Sequence, residues 1–314
     1  MKSILAISVV FCALIFASCG KNEKSVSQNA SATPAVKQAP VSIDKSAYDS
    51  LVASIATASD EEIAKSEWAT AVKNAGILRV GGTRTSFLFS QLDETDSKTR
   101  GFDAGLYQLL ARYILGDESK YDLTQVDSST REAVLQSGQV DIVAATYSIT
   151  ESRKKLISFA GPYYTSRQAV LIRAGKKGIT GIKSLDGATV ATLSGSTGPA
   201  ILKEFAPKAV SQEFKNDIEA RTALQLGRVD AYVTDQALHL NAIVKNPGIF
   251  ELAGEPFGSE DNYGLGLPLG SDGVEFVNDF LKKIIADGTW QRLWTICLGK
   301  RTGIQNAPAA PAIN

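Results

Sequence analysis

Residues 131–164 read REAVLQSGQVDIVAATYSITESRKKLISFAGPYY. Arg131–Ser137 keeps its apolar residues at helical spacing, Gly138 breaks the pattern, and Val140–Ala144 is a short apolar run that suits a buried strand. Directly after that run the chain presents Ser148, Thr150, Arg153 and, further on, two tyrosines. A buried strand that opens at once onto hydroxyls and a cation points to a site, because ligands of α/β sheets sit beyond the carboxyl ends of the strands. The construction also returns later in the chain: AVLQSGQVDIVAATYS at 133–148 is answered by TALQLGRVDAYVTDQA at 222–237, with the same spacing from Leu-Gln through Gly to Val-Asp. Two lobes of similar build facing one cleft are the simplest arrangement, with Thr146–Ser148 and Thr234–Asp235 as its opposed walls.

Outward from this stretch the chain alternates strand and helix patterns. Strands are predicted at Ile77–Gly81, Tyr121–Val126, Asp141–Thr146, Ala169–Ile172, Thr189–Leu193, Ala231–Thr234 and Leu265–Pro268. Helices are predicted at Ala104–Tyr113, Arg131–Ser137, Gly198–Phe205, Asn216–Leu226 and Gly273–Asp287. Such alternation predicts α/β domains with largely parallel sheets, and 314 residues give room for about two of them.

The N-terminus carries a different message. Lys2 is followed by the apolar run Ile4–Phe16, shorter than the roughly 20 residues that span a bilayer, and then by Ala17-Ser18-Cys19-Gly20. This predicts a signal peptide over 1–18. The small residues before Cys19 resemble the lipobox of bacterial lipoproteins, with Phe16 in place of the usual Leu, and the resemblance implies a lipidated Cys19 as the mature N-terminus. Gly20 to about Val41 is too polar to bury a core and reads as a disordered tether able to hold a domain up to about 60 Å from a membrane. Ser42–Ala75 is predicted helical, a packing or spacer segment, and 304–314 a disordered tail. Of three cysteines only Cys297 remains in the mature body, as a small buried apolar residue.

Composition narrows the function. The 33 basic residues balance the 33 acidic ones, which argues against a nucleic-acid binder. Nothing in the sequence calls for a cofactor: there is no phosphate loop, no CxxC and no HExxH, and His239 is the only histidine. The paired acids Glu61-Glu62 and Glu260-Asp261 read as solvated surface. Binding without catalysis leads.

At this point the residues carry a family resemblance. GFDAGLYQLLARYILG, the 131–164 stretch, SLDGATVATLSGST and LGRVDAYVTDQAL resemble, in order and interval, the family 3 extracellular solute-binding proteins, the polar amino acid receptors of ABC importers. The resemblance covers roughly Gly76 to Gly299 and is closest to glutamate- and glutamine-binding lipoproteins. It implies a two-lobed, periplasmic-binding-protein-like (type II) α/β fold with a hinge and an inter-lobe cleft. Lobe 1 would be discontinuous (76–166 and 255–303) and lobe 2 would span 167–254, with hinges near Arg167–Arg173 and Leu252–Gly258.

The resemblance also implies a site. The Thr146 backbone, Ser148 and Arg153 would hold the ligand α-carboxylate, for which a guanidinium fork is well matched. Asp235 would accept the α-ammonium, with helix N-cap as its competing role. The loop bearing Ser194, Ser196 and Thr197 would contact the ligand through hydroxyls and amides. Arg84 and Arg131 are two candidates for a distal carboxylate, both open to being ordinary surface arginines; without a one-residue gap Thr83 replaces Arg84. Ser86 takes the place of the family's stacking aromatic in one register, which leaves Phe87 as substitute, while Phe89 reads as core. The two arginines favour glutamate, then aspartate, glutamine and asparagine, because spare positive charge sits poorly around a neutral amide. The resulting picture is a monomeric, membrane-anchored receptor serving a permease. A sensor for a membrane signalling partner is one alternative, and an enzyme of the cyclohexadienyl dehydratase type is another.

Overall fold

The computed structural model describes residues 40–313; the signal segment, Cys19 and nearly all of the tether lie outside the described residues. Its central feature is one mixed sheet of nine strands. Tyr121–Gln125, Leu78–Gly82 and Ile142–Ala144 run parallel at one end. Ala231–Asp235, Thr189–Leu193 and Val210–Phe214 run parallel at the other. Between them lie two long antiparallel strands, Ser158–Arg173 and Phe257–Leu267, with Phe250–Leu252 paired on the first. The expectation of largely parallel sheets is therefore corrected: it holds at the two ends and fails in the middle. The short prediction Ala169–Ile172 belongs to a strand of 16 residues, because polar positions such as half-buried Thr165 and exposed Arg167 interrupt its apolar pattern without breaking its pairing.

The long strand serves three cores. Ala160 and Tyr163 pack with Leu78, Phe102, Leu265 and Trp290, Val170 and Ile172 with Val190 and Val233, and Leu171, on the opposite face, with Ala191 and Tyr232. The two copies of the sequence echo fall one to each end of the sheet. In both, a helix (Arg131–Gln136, Asp217–Gln225) turns through a glycine at φ +67 or +73, Gly138 or Gly227, into a strand (Ile142–Ala144, Ala231–Asp235). Only glycine adopts that left-handed backbone without steric cost, which fixes the spacing of the repeat.

The segment before the first strand is part of the body. Helices Lys45–Val52 and Glu67–Ala75 bury Tyr48, Leu51, Val52, Trp68 and Val72 in the first core. The Asp272 carboxylate accepts the Glu67 and Trp68 amides at 2.5 and 3.1 Å, satisfying orphan donors of the second helix from 204 residues away. At the other end 304–313 forms no helix or strand, yet Ala307, Ala310 and Ile313 pack on the same core. The expected disordered tail is corrected on that point, since small apolar residues between prolines dock without regular structure. Cys297 is fully buried, and burial pushes its thiol well above the usual range. No helix among the described residues is long and apolar enough to cross a membrane.

Candidate ligand-binding cleft

The polar residues of 145–153 begin where the strand Ile142–Ala144 ends. Thr146 adopts φ +44, a left-handed conformation that a β-branched residue rarely takes and that must be held by its surroundings. Two groups hold it. The Thr146 amide donates to Asp103 Oδ2 at 2.9 Å, and Arg131 Nη1 donates to the Ala145 and Thr146 carbonyls at 3.0 and 3.4 Å. Ser148 then pairs by main chain with Tyr263, and its hydroxyl donates to Asp261 Oδ2 at 3.1 Å. Thr150 caps the short helix Glu151–Lys154 by accepting the Arg153 amide, which places Arg153 inward at 7% exposure.

Arg153 joins the two sides of the cleft. Its Nη1 donates to the Ser148 carbonyl and its Nη2 to the Gly195 carbonyl, each at 2.9 Å, while Nε lies 3.2 Å from Glu132 Oε1. Lys154, its neighbour, is half exposed and pairs with Glu151. Gly195 sits at φ +74 in the loop after Thr189–Leu193, so close to Ser129 that a Cβ there would lie 2.6 Å from the Ser129 Cα.

On the facing strand end Asp235 is 6% exposed, and it makes no capping bond to the helix it precedes. Its oxygens instead accept the Gln168 amide at 2.6 Å and the Tyr263 hydroxyl at 2.8 Å. Tyr263 thereby ties both walls together, by main chain to Ser148 and by hydroxyl to Asp235. In the loop 193–197, the Ser196 hydroxyl is spent internally, donating to the Leu193 carbonyl at 2.7 Å and accepting the Gly198 amide at 3.0 Å. The Ser194 amide donates to Phe214 O in the neighbouring strand, and Thr197 lines a cavity beside Gln168 and Asp261.

A further cavity of about 70 Å³ lies between Thr83, Ser86, Asp103, Arg131 and Thr146 on one side and Leu193 and Leu238 on the other. Arg131 is 4% exposed, its Nε has no partner, and its Cζ lies 4.1 Å from the Tyr147 ring centroid. Burial, and then Arg153, push its guanidinium down to about 10. The buried Ser86 hydroxyl is likewise unpartnered.

Two sequence candidates stand elsewhere. Arg84 is absent from this cavity's lining; its side chain donates to the Leu123 carbonyl and its amide to Gln125, so Thr83 and Ser86 take the places on the cleft. Phe87 is no stacking substitute, because the Arg301 guanidinium covers its ring at 3.9 Å. Phe89 is core, as expected. His239 is fully buried, bonds the Ala169 carbonyl through Nε2 at 3.1 Å, and is pushed down to about 3 by burial. A neutral, enclosed imidazole supports no acid–base role at neutral pH.

The sequence reading missed four polar residues of the cleft: the carboxyl groups of Asp103, Glu132 and Asp261, and Gln168, whose Nε2 donates to Asp235 and Asp261. Burial pushes the Asp103 carboxyl up to about 7, against the pull of Tyr163, Thr146 and Arg131. Asp261 contradicts the solvated-surface reading of Glu260-Asp261. It faces inward, and burial first and the neighbouring Asp235 second push it well above the ordinary carboxylate range. The signal was Gly258 at φ +75, which opens a bulge between Phe257 and Asp261 and re-aims the strand.

The chain has recognisable relatives among known proteins. The family model of bacterial extracellular solute-binding proteins, family 3, matches residues 78–297. The chain is 33% identical to the ABC transporter glutamine-binding protein GlnH of Bacillus subtilis, over 73% of this chain and 84% of that one. It is also 33% identical to the glutamate-binding protein GluB of Corynebacterium glutamicum, over 67% and 74%. Among solved structures, the ancestral amino acid-binding protein AncCDT-1, a precursor of cyclohexadienyl dehydratase, superposes with a TM-score of 0.64 at 29% identity, covering 73% of this chain and 98% of that one.

Proposed function

The chain belongs to the bacterial extracellular solute-binding proteins, family 3, and from that premise we propose that it captures a free polar amino acid for an ABC importer. The observation that carries this reading is the inward Arg153 at one strand end opposed to the uncapped Asp235 at the other, a cation and an anion set for the two ends of an α-amino acid. Thr146, Ser148 and the 194–197 loop would complete the carboxylate end. Arg131 and Ser86, each with a buried unpartnered polar atom, would receive the distal group of the side chain.

The side chain that fits best is a neutral amide. The preference for glutamate rested on two arginines near the cleft, but Arg84 is turned away while Asp103, Glu132 and Asp261 stand beside Arg131 and Arg153. Glu132 and Asp235 already match the two guanidiniums in formal charge, so no spare cation awaits a distal carboxylate, and we rank glutamine ahead of glutamate, with asparagine and aspartate after. Lipid anchoring at Cys19 and delivery to a membrane permease belong to the same proposal, and a Cys19→Ala chain should then leave the membrane fraction for the medium. The test of function is calorimetric titration of the chain from Gly20 onward with the four acidic and amide amino acids. Saturable 1:1 binding led by glutamine supports the reading; binding by none of the four overturns it.

A further inference from the structure

Gln168, Asp235 and Asp261 meet on three neighbouring strand segments. Gln168 and Asp235 are direct cross-strand partners, and Asp261 is brought alongside by the bulge that follows Gly258. Gln168 Nε2 donates to Asp235 Oδ1 at 2.6 Å and to Asp261 Oδ2 at 3.0 Å, so one amide nitrogen serves two carboxylates. The Gln168 Oε1 is then left with no partner in a side chain only 3% exposed. A buried acceptor without a donor is costly and calls for an occupant. Three acceptor groups share a few ångströms, and the protein's own donors to them are Gln168 Nε2 and the Ser148 and Tyr263 hydroxyls.

On the reading that Asp235 takes the ligand's α-ammonium, we propose that Asp261 is a second carboxylate of that ammonium site and the Gln168 carbonyl its third acceptor. An ammonium has three N–H donors, and a neutral group in the same place has fewer. The arrangement selects against ligands in which a hydroxyl replaces the amine, since these bring no cation to the two carboxyl groups and fewer donors to their acceptors. It also couples binding to protons. Asp261 faces Asp235 across the strands, Tyr263 on its own strand and Arg153 on the short helix, while Lys154 and Glu260 line the adjoining cavity. Without ligand, burial and Asp235 favour its neutral form. An ammonium placed against it favours the carboxylate, so ligand binding at neutral pH releases a proton from Asp261 to solvent, and affinity rises with pH until Asp261 is already ionised in the empty protein.

The experiment is titration of the intact chain and of Asp261→Asn with glutamine at pH 7, in two buffers of different ionisation enthalpy. The wild type should release close to one proton more per ligand than the variant, and the variant should bind about 10- to 100-fold more weakly with a flattened pH profile. Asp261→Glu should restore part of the proton release, which a merely structural aspartate would not predict. Should the asparagine variant fold poorly, the proton count on the wild type decides alone, with zero released between pH 6 and 8 overturning the proposal. Equal affinity and equal proton counts for wild type and Asp261→Asn overturn it while leaving the receptor reading intact. If the wild type binds no amino acid, the receptor reading and this proposal fall together.

Discussion

Replacing Gly195 by Ala should separate closing of the cleft from recognition of the ligand. The new Cβ would lie 2.6, 2.9 and 3.0 Å from the Ser129 Cα, N and Cβ, where ordinary contact begins near 3.4 Å. The two nearest neighbours are main chain, so the loop must withdraw by about 0.8 Å from the facing wall. Withdrawal stretches the Arg153 Nη2 bond to the Gly195 carbonyl from 2.9 Å to beyond bonding distance. Loss of one charge-assisted hydrogen bond removes about 1.5–3 kcal/mol. That cost falls only on the closed arrangement, so ligand affinity should drop roughly 10- to 150-fold by the population of the competent state. The left-handed backbone adds a separate cost of about 1–2 kcal/mol for alanine at φ +74. This second term is present with the cleft open or closed and appears in thermal unfolding, not in affinity. Calorimetry gives the first and a melting curve the second. Wild-type affinity in Gly195→Ala, with the melting point lowered, would refute this reasoning.

The other predictions address the site residue by residue. Arg153→Ala should weaken amino acid binding by about 2–5 kcal/mol, because the carboxylate loses its fork and Glu132 loses its buried partner; undiminished affinity in calorimetry would remove Arg153 from the site. Arg84→Ala should change affinity for glutamine and glutamate alike by less than about 0.5 kcal/mol, as expected of a residue bonded to Leu123 away from the cleft, whereas Arg131→Met should weaken both at least tenfold. Glutamate should gain on glutamine as pH falls from about 8 to about 6, because Asp103, raised to about 7, becomes neutral and stops repelling a distal carboxylate. A selectivity ratio independent of pH over that range, or one that moves the same way in Asp103→Asn, would contradict it.

The parts of this fold legible in the sequence are those with a local cause. The repeated helix, Gly turn and strand were readable because 3.6-residue spacing, a left-handed glycine and an apolar run act within fifteen residues. The roles of the long strands were not. Ser158–Arg173 mixes buried, half-buried and exposed positions because its neighbours change along its length, and the sequence of one strand carries no record of which strand pairs beside it. The same limit governs the site. Arg153 and Asp235 were named through the family resemblance, which rests on local motifs, whereas Asp261 lies inside a polar stretch whose inward turn depends on a bulge against a distant strand. Arg84 failed for the converse reason: its position on the first strand's exit was right, but a carbonyl of the adjacent strand offered its guanidinium a closer partner.

The cleft's charge connects ligand choice with titration. Arg131 and Arg153 are matched in formal charge by Glu132 and Asp235, and burial favours the neutral forms of Asp103 and Asp261 near neutral pH. On the proposals above, a zwitterion with an amide side chain would add no net charge to this set, and the proton expelled from Asp261 would leave a carboxylate directly against its ammonium. A glutamate adds one further negative charge beside Arg131 and Asp103. At about 5 Å and an effective dielectric near 20, each such pair is worth roughly 3 kcal/mol, so attraction to Arg131 and repulsion by an ionised Asp103 nearly cancel. Discrimination then turns on whether Asp103 holds its proton. On the proposed function, the same buried carboxyl that fixes the strained Thr146 backbone would also set the side-chain preference, and a change at Asp103 should disturb the two together.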